Sequence, residues 1–370
     1  MTALTRLSLT DFRNYASLSL NLDGRHVCLF GANGAGKTNL LEAVSQLGPG
    51  RGLRSATLPE MTRKDAPAGW TVAATLDNDQ KIGVALETGS GAKRNVRIDG
   101  ASATASDLAE LVRIVWLTPT MDSVFRGGAS DRRRFLDRQV MSHVPTHGRA
   151  SSRYEQAMRE RNALLERGHV DPAWADAIEA RMAEAGAEIA INRAHVLESL
   201  QLAIEARPEG HFPKADLTLD GTAEQAALRG DDFKSIFEAL AETFRTTRRR
   251  DIAAGRTIDG PHRSDLMVIH RPTGSPARDA STGQQKALLI GLILASAGAL
   301  RADGDGPAPL LLLDEAAAHL DPDRRAALYD ELCALGGQAW LTGTERFLFE
   351  AFGDRAQCVR VDDGMARVET

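Results

Sequence analysis

Gly31-Ala32-Asn33-Gly34-Ala35-Gly36-Lys37-Thr38 decides the fold. Its glycines let backbone N–H groups wrap a chain of phosphates, and a helix N-terminus behind them adds positive potential. Lys37 is placed to reach the β- and γ-phosphates of ATP, and the Thr38 hydroxyl to ligand Mg2+. The pattern needs a strand before it and a helix after it, and both are present. Val27-Cys28-Leu29-Phe30 is a short buried-strand run, while Leu40, Leu41, Val44 and Leu47 keep helical spacing until Gly48-Pro49-Gly50 stops them. The implied fold is α/β, with ATP and Mg2+ bound by residues 31–38.

The acidic partner of such a loop lies near the other end of the chain. In Leu310-Leu311-Leu312-Leu313-Asp314-Glu315 the leucines predict a central strand buried on both faces. It delivers two carboxylates to the C-terminal edge, where open α/β sheets bind ligands. Asp314 is expected to hold the metal, and Glu315 to polarise the attacking water as general base, so Lys37, Asp314 and Glu315 are the candidate catalytic residues. Taken alone, an apolar strand ending in two acids also describes a solvated strand end. Loop and acids are expected on adjacent strands of one sheet, although Thr38 and Asp314 stand 276 residues apart. A third segment, Ser281-Thr282-Gly283-Gln284-Gln285-Lys286, opens an apolar helix about thirty residues before the acids. Ser281, Gly283 and Gln284 can offer a hydroxyl, an amide and free backbone N–H groups to an anion, and an ordinary N-cap is the alternative reading.

Together these segments resemble the ATPase head of the ABC superfamily. Ser281-Thr282-Gly283-Gln284 is similar to its signature motif, which docks on the γ-phosphate of the opposite subunit, and Ala318-His319-Leu320-Asp321 looks like the following D-loop. Within that superfamily the chain resembles the RecF family of recombination mediators. The residues that carry this are Leu9-Thr10-Asp11-Phe12-Arg13-Asn14-Tyr15, Arg132-Arg133-Arg134-Phe135-Leu136-Asp137 and Gly260-Pro261-His262-Arg263-Ser264-Asp265-Leu266. The resemblance implies an ABC-type head, a mixed sheet with a phosphate-loop core and an antiparallel subdomain, carrying an inserted, mainly helical second lobe. It implies an ATP-dependent homodimer that binds double-stranded or gapped DNA in replication and recombinational repair. It further implies weak, DNA-dependent ATP hydrolysis as a release switch, and RecR, and through it RecO and RecA, as partners. The chain departs from the superfamily pattern in three places. Ala280 precedes the signature where Leu is usual, and Leu117-Thr118-Pro119 lacks the usual Mg2+-coordinating Gln. Thr342 and Thr344 stand where a γ-phosphate-sensing His is expected, which suits slow hydrolysis. The ATP-hydrolysing subunit of an ABC transporter shares the same core, but places loop and signature much closer together than the 243 residues between Thr38 and Ser281.

The expected organisation is an N-terminal half of the ATPase lobe over 1–128, a helical lobe over 129–258, and the C-terminal half over 259–370. Residues 71–76, 81–86 and 94–98 alternate as strands of a small antiparallel sheet, the first two joined by Asp77-Asn78-Asp79. Residues 112–117 read as a core strand, 266–270 as a strand, and 339–367 as an alternating end. From about 130 to 255 the pattern is helical, with Trp174, Ile178, Met182, Ala185, Ile189, Val196 and Leu200 on one face.

A net charge of −5 excludes DNA binding by the surface as a whole and requires a local basic patch. Only seven of the 45 basic residues are Lys, leaving 38 Arg. Arg suits bidentate phosphate contacts, and a GC-rich genome produces the same bias. Arg132, Arg133, Arg134, Arg248, Arg249 and Arg250 are candidate DNA contacts, and both triplets also fit a solvated or salt-bridged helix face. The three cysteines show neither metal-ligand spacing nor a disulfide framework, which points to a reducing, cytoplasmic setting. The strand-like run at residues 4–9 is not the pattern of a signal peptide, so none is expected, and the apolar run 287–300 suits a buried helix rather than a membrane span.

Overall fold

Period-two alternation at the start becomes a hairpin of β1 (Leu4–Phe12) and β2 (Tyr15–Asn21), with Leu7 opposite Leu20 and Leu9 opposite Leu18. The turn between them is tight: Arg13 has φ +54° and donates its N–H to Met61 O at 2.8 Å. The apolar run before the loop is β3 (His26–Phe30), and the helix behind the loop is α1 (Lys37–Ser45). Then follow β4 (Trp70–Leu76), β5 (Lys81–Leu86), β6 (Arg94–Ile98) and β7 (Ala101–Ala103), paired as the alternation and the Asp77-Asn78-Asp79 turn predict. A short helix α2 (Ala105–Leu111), capped reciprocally by Thr104 and Asp107, leads into β8 (Ile114–Leu117).

The computed structural model describes residues 2–66, 69–87, 93–166, 171–302, 304, 306–318 and 320–369. Its contacts divide the chain into two units, the first made of 1–122, 207–212 and 289–370 and the second of 123–206 and 213–288.

The second unit contains α3 (Ala129–His143), α4 (His147–Leu165), α5 (Pro172–Ala206), β9 (Ala215–Asp220), α6 (Thr222–Leu228), α7 (Phe233–Ala254), β10 (Asp265–His270) and β11 (Ser275–Pro276). Ile178, Met182, Ala185 and Ile189 of α5 are buried with Tyr154, Leu240 and Phe244 in one apolar cluster. Trp174, expected on that face, is 51% exposed, because it falls in the first turn of α5. The lobe is also less purely helical than expected. β9 alternates buried and exposed residues and pairs antiparallel with β10 from Ala215–His270 to Asp220–Asp265, giving a three-stranded sheet with β11. That pairing draws β10 into the second unit, so the expected boundary at 258 is replaced by one at 288.

Buried arginines cross-link this unit. Arg161, 0% exposed, pairs with Glu179 at 3.0 Å and Asp251 at 2.6 Å and also bonds Thr257 and the Phe244 carbonyl. Arg193 binds Asp137, Glu224, Ser264 and the Pro261 carbonyl. His262 lies between the Tyr154 hydroxyl at 2.8 Å and the Thr257 carbonyl at 3.1 Å.

The first unit resumes within α8 (Thr282–Ala302) and continues through β12 (Leu310–Leu313), α9 (Pro322–Leu335), β13 (Ala339–Gly343), β14 (Ala356–Asp362) and β15 (Met365–Glu369). One sheet is antiparallel, in the order β2-β1-β4-β5-β6-β7; the other is mixed, in the order β15-β14-β3-β13-β12-β8. All pairs of the mixed sheet are parallel except β14–β15. Gln338, fully buried, links the two sheets by accepting from Leu4 N at 3.0 Å and donating to the Leu4 and Arg25 carbonyls. The expectation that the loop strand and the acidic strand are neighbours is corrected: β13 lies between them, pairing Leu341 with Cys28 on one side and with Leu313 on the other.

Replacing Arg161 by Ala leaves Asp251 buried without a counter-charge and Glu179 with Arg248 alone. The expected loss is about 3–5 kcal/mol, read as a lower unfolding midpoint in thermal or urea melts. Burial also lowers the His262 imidazole from 6.5 to about 4. The folded chain then keeps the ring neutral while the unfolded chain protonates it, so stability falls as the pH drops from 6.5 towards about 4. Melting midpoints measured across that range check this, and His262→Gln is expected to flatten the fall.

Candidate active site

Residues 31–38 run from the end of β3 into α1 and expose Ala32, Asn33 and Gly34 while burying Ala35, Gly36 and Lys37. Gly31 and Gly36 have φ of +148° and +113°, and a β-carbon on Gly31 would lie 2.1 Å from the Val361 carbonyl oxygen. Only glycine fits there. The β1–β2 turn supports the loop from behind, since Asn14 Nδ2 donates to Ala35 O at 3.2 Å and the Tyr15 hydroxyl to Gly36 O at 3.1 Å. On α1, Glu42, 1% exposed, receives a bidentate pair from Arg13 at 2.8 and 2.6 Å, and Arg54 at 3.1 Å. The Lys37 ammonium donates to the Gly31 and Ala32 carbonyls at 2.6 and 2.8 Å, curling back over the loop. Burial lowers its pKa, opposed by Glu315 and Asp314.

The structure brings the two ends of the chain together at Asp314. Thr38 Oγ1 donates to Asp314 Oδ1 at 3.0 Å, and Thr342 Oγ1 donates to the same oxygen at 2.8 Å. Burial raises the Asp314 pKa, the two hydroxyls lower it, and neighbouring Glu315 raises it further. Glu315 is half-buried with φ +52°, and its N–H donates to Thr342 Oγ1 at 2.8 Å. Thr118, at the position where a Gln is usual, is buried and bonds Thr120 through its hydroxyl at 2.8 Å. Thr38 and Asp314 supply hard oxygen donors 3.0 Å apart, the donor type Mg2+ takes beside the phosphate oxygens of a nucleotide, and they are the residues that would hold it. Such a cation neutralises the charge that develops on the transferring phosphate.

Ser281, Gly283 and Gln284 belong to the second unit, where the Ser281 hydroxyl accepts from Gln284 N at 3.3 Å and Gln284 Oε1 accepts from Ser281 N at 2.9 Å. The segment caps the helix reciprocally, and Ser281 and Gly283 are exposed at the head of a long helix. Gln285 secures the preceding turn by donating to the carbonyls of Ala277, Arg278 and Ala280. Of the D-loop-like segment, His319 lies outside the described residues, and Asp321 caps α9 by accepting from Arg324 N at 2.9 Å.

The arginine triplets divide. Arg132 is bidentate to Asp265 at 2.8 and 2.6 Å, Arg133 donates to the Ser264 carbonyl at 2.6 Å, and Arg248 grips Glu179 and Asp176. These three cross-link the second unit. Arg134 pairs with Asp131 and Arg250 with Asp259 at the surface, and Arg249 is exposed. Residue patterns passed over Asn14, Tyr15 and Glu42 as loop supports and Thr342 as an Asp314 partner. The one local signal was the polar Asn14-Tyr15 turn, and nothing in it says which loop it backs.

The sequence pattern of the family described as RecF/RecN/SMC N terminal domain matches residues 3–364. A protein of Rhizobium leguminosarum bv. trifolii named DNA replication and repair protein RecF is 51% identical over 369 residues, covering 98% of each chain. One of the same name from Brucella suis biovar 1 is 51% identical over 372 residues, covering 98% of this chain and 95% of that one. Among solved structures, the recombination mediator protein RecF-ATPrS in the RecFOR pathway matches in fold, with a TM-score of 0.84 at 22% identity, covering 100% of this chain and 98% of that one.

Tyr15→Phe removes one bond to the loop backbone and leaves the ring in place. Nucleotide affinity, measured by calorimetric titration, is expected to fall about three- to tenfold, with a small drop in the melting midpoint.

Proposed function

This chain belongs to the RecF family, and we propose that it is an ATP-gated DNA-binding protein of replication and recombinational repair. The observation that carries the reading is the hydrogen bond from Thr38 to Asp314, 276 residues on, which completes the phosphate and acid half of a nucleotide site within one unit. The exposed start of α8 supports the other half of the reading, in which Ser281, Gly283 and Gln284 of one copy face the ATP held by another.

In this reading residues 31–38 cradle the phosphates, and Lys37 exchanges its bonds to the loop carbonyls for phosphate oxygens. Glu315 orients and deprotonates the attacking water. With Thr where a His is expected, hydrolysis is slow and DNA-dependent, and serves as the release step of an ATP-dependent dimer. The negative net charge supports a nucleotide-dependent DNA grip, because only a paired surface gathers enough positive charge. Arg134, Arg249 and Arg250 are the phosphate contacts whose exposure suits double-stranded or gapped DNA. RecR, and through it RecO and RecA, are the partners, in the cytoplasm. The transporter-subunit reading is not favoured: the family match runs almost end to end, and α8, the one described helix apolar and long enough to cross a membrane, has 78% of its most apolar stretch buried.

Light scattering with ATP tests the dimer: Lys37→Arg and Ser281→Arg are expected to remain monomers, and Glu315→Gln to accumulate dimers. Wild type that stays monomeric with ATP sinks the gate. Affinity for labelled duplex and gapped DNA is expected to rise with ATP and to fall about 10-fold or more when salt is raised from 50 to 200 mM. Equal affinity with and without ATP counts against the proposal.

A further inference from the structure

Thr342 stands near the end of β13, the strand between the phosphate-loop strand and the acidic strand, and is 1% exposed. Its single hydroxyl is used twice, donating to Asp314 Oδ1 at 2.8 Å and accepting from Glu315 N at 2.8 Å. The two roles cannot be exchanged, because an ionised carboxylate only accepts and a backbone N–H only donates. Branching at the β-carbon restricts χ1, and the buried side chain presents its hydroxyl where both bonds form. Glu315 meanwhile adopts φ +52°, a left-handed conformation that a residue with a β-carbon keeps only when its surroundings hold it. The bond from its N–H to Thr342 supplies such a hold.

We infer that Thr342 is the positioning residue of this site: it fixes the Asp314 carboxylate against Thr38 and sets the backbone from which the Glu315 carboxylate projects. The inference rests on the ATP-hydrolysing reading above. Thr342 acts through the two acids and is not itself a catalytic residue. Strand order makes this possible, since the position lies 28 residues beyond Asp314 in sequence yet beside it in the sheet.

The test compares wild type with Thr342→Val, which keeps the shape and removes the hydroxyl, and Thr342→Ser, which keeps the hydroxyl. Binding of a fluorescent ATP analogue is measured in EDTA and with Mg2+, and kcat and KM for ATP are measured with DNA present. The valine protein is expected to bind the analogue in EDTA as wild type does, to lose most of the affinity that Mg2+ adds, and to lose about tenfold or more in kcat with KM moving less than about threefold. The serine protein is expected to stay within about threefold of wild type throughout. A valine protein with wild-type kcat and Mg2+ response overturns the inference, as does a serine protein as impaired as the valine one, or a valine protein that no longer binds in EDTA. Thr342→Ala serves the same comparison if melting curves show that the valine protein does not fold. Wild type that binds no nucleotide overturns the proposed function and this inference with it; wild type that binds and hydrolyses while the valine protein matches it overturns this inference alone.

Discussion

One carboxylate oxygen organises the ATPase unit. Asp314 Oδ1 accepts hydroxyl donors from α1 and from β13, so the loop helix, the intervening strand and the acidic strand meet at a single acceptor. A carboxylate at 6% exposure is costly unless its lone pairs are satisfied, and the two threonines donate to one of its oxygens while the charge of Arg54 also favours the ionised form. The rest of the sheet follows from the same strand. Leu310–Leu313 is buried throughout, the pattern of a central strand, and β8 and β13 pair with it in parallel on its two sides. Register then places Leu341 opposite Leu313, which leaves Thr342 and Asp314 side by side at the ligand-binding edge.

Arginine does much of the cross-linking in both units. Arg161 and Arg193, both buried, each satisfy two acids and a carbonyl, and Arg13 holds Glu42 of the phosphate-loop helix. Desolvation offsets most of the attraction in such pairs, but removing one partner exposes that whole cost. Part of the Arg content therefore serves the architecture. Arg132 and Arg248 illustrate this: their triplets look like phosphate clamps in sequence, and in the fold each is committed to carboxylates of its own lobe.

What could be read in advance was whatever depends on neighbours along the chain. β3, α1 and β12 were legible because a buried run, a glycine loop and a helical repeat are local patterns. β9 was not, although residues 215–220 alternate cleanly, because one short strand between long helical stretches gains meaning only when β10 pairs with it. Trp174 was misplaced for a related reason: periodicity assigns a face, and the end of a helix is where a face can stop being covered. The insertion of β13 between β3 and β12 was missed because strand order is decided by long-range pairing that no window of sequence contains. The lobe boundary moved from 258 to 288 on the same ground.

The sequence by itself determined the chemistry of this protein: a phosphate-binding loop, two acids on a buried strand, a capped signature-like helix start, and the order of motifs that marks the RecF family. These are set by residue type and local spacing, which survive without coordinates. Only the tertiary structure decided which groups support them. Tyr15 and Asn14 reach the loop from a hairpin turn, Arg13 reaches Glu42, and Thr342 reaches both acids, through contacts between residues some 20 to 30 positions apart. Hydrogen bonds of that range depend on distance in space, and sheet pairing, not sequence spacing, sets that distance.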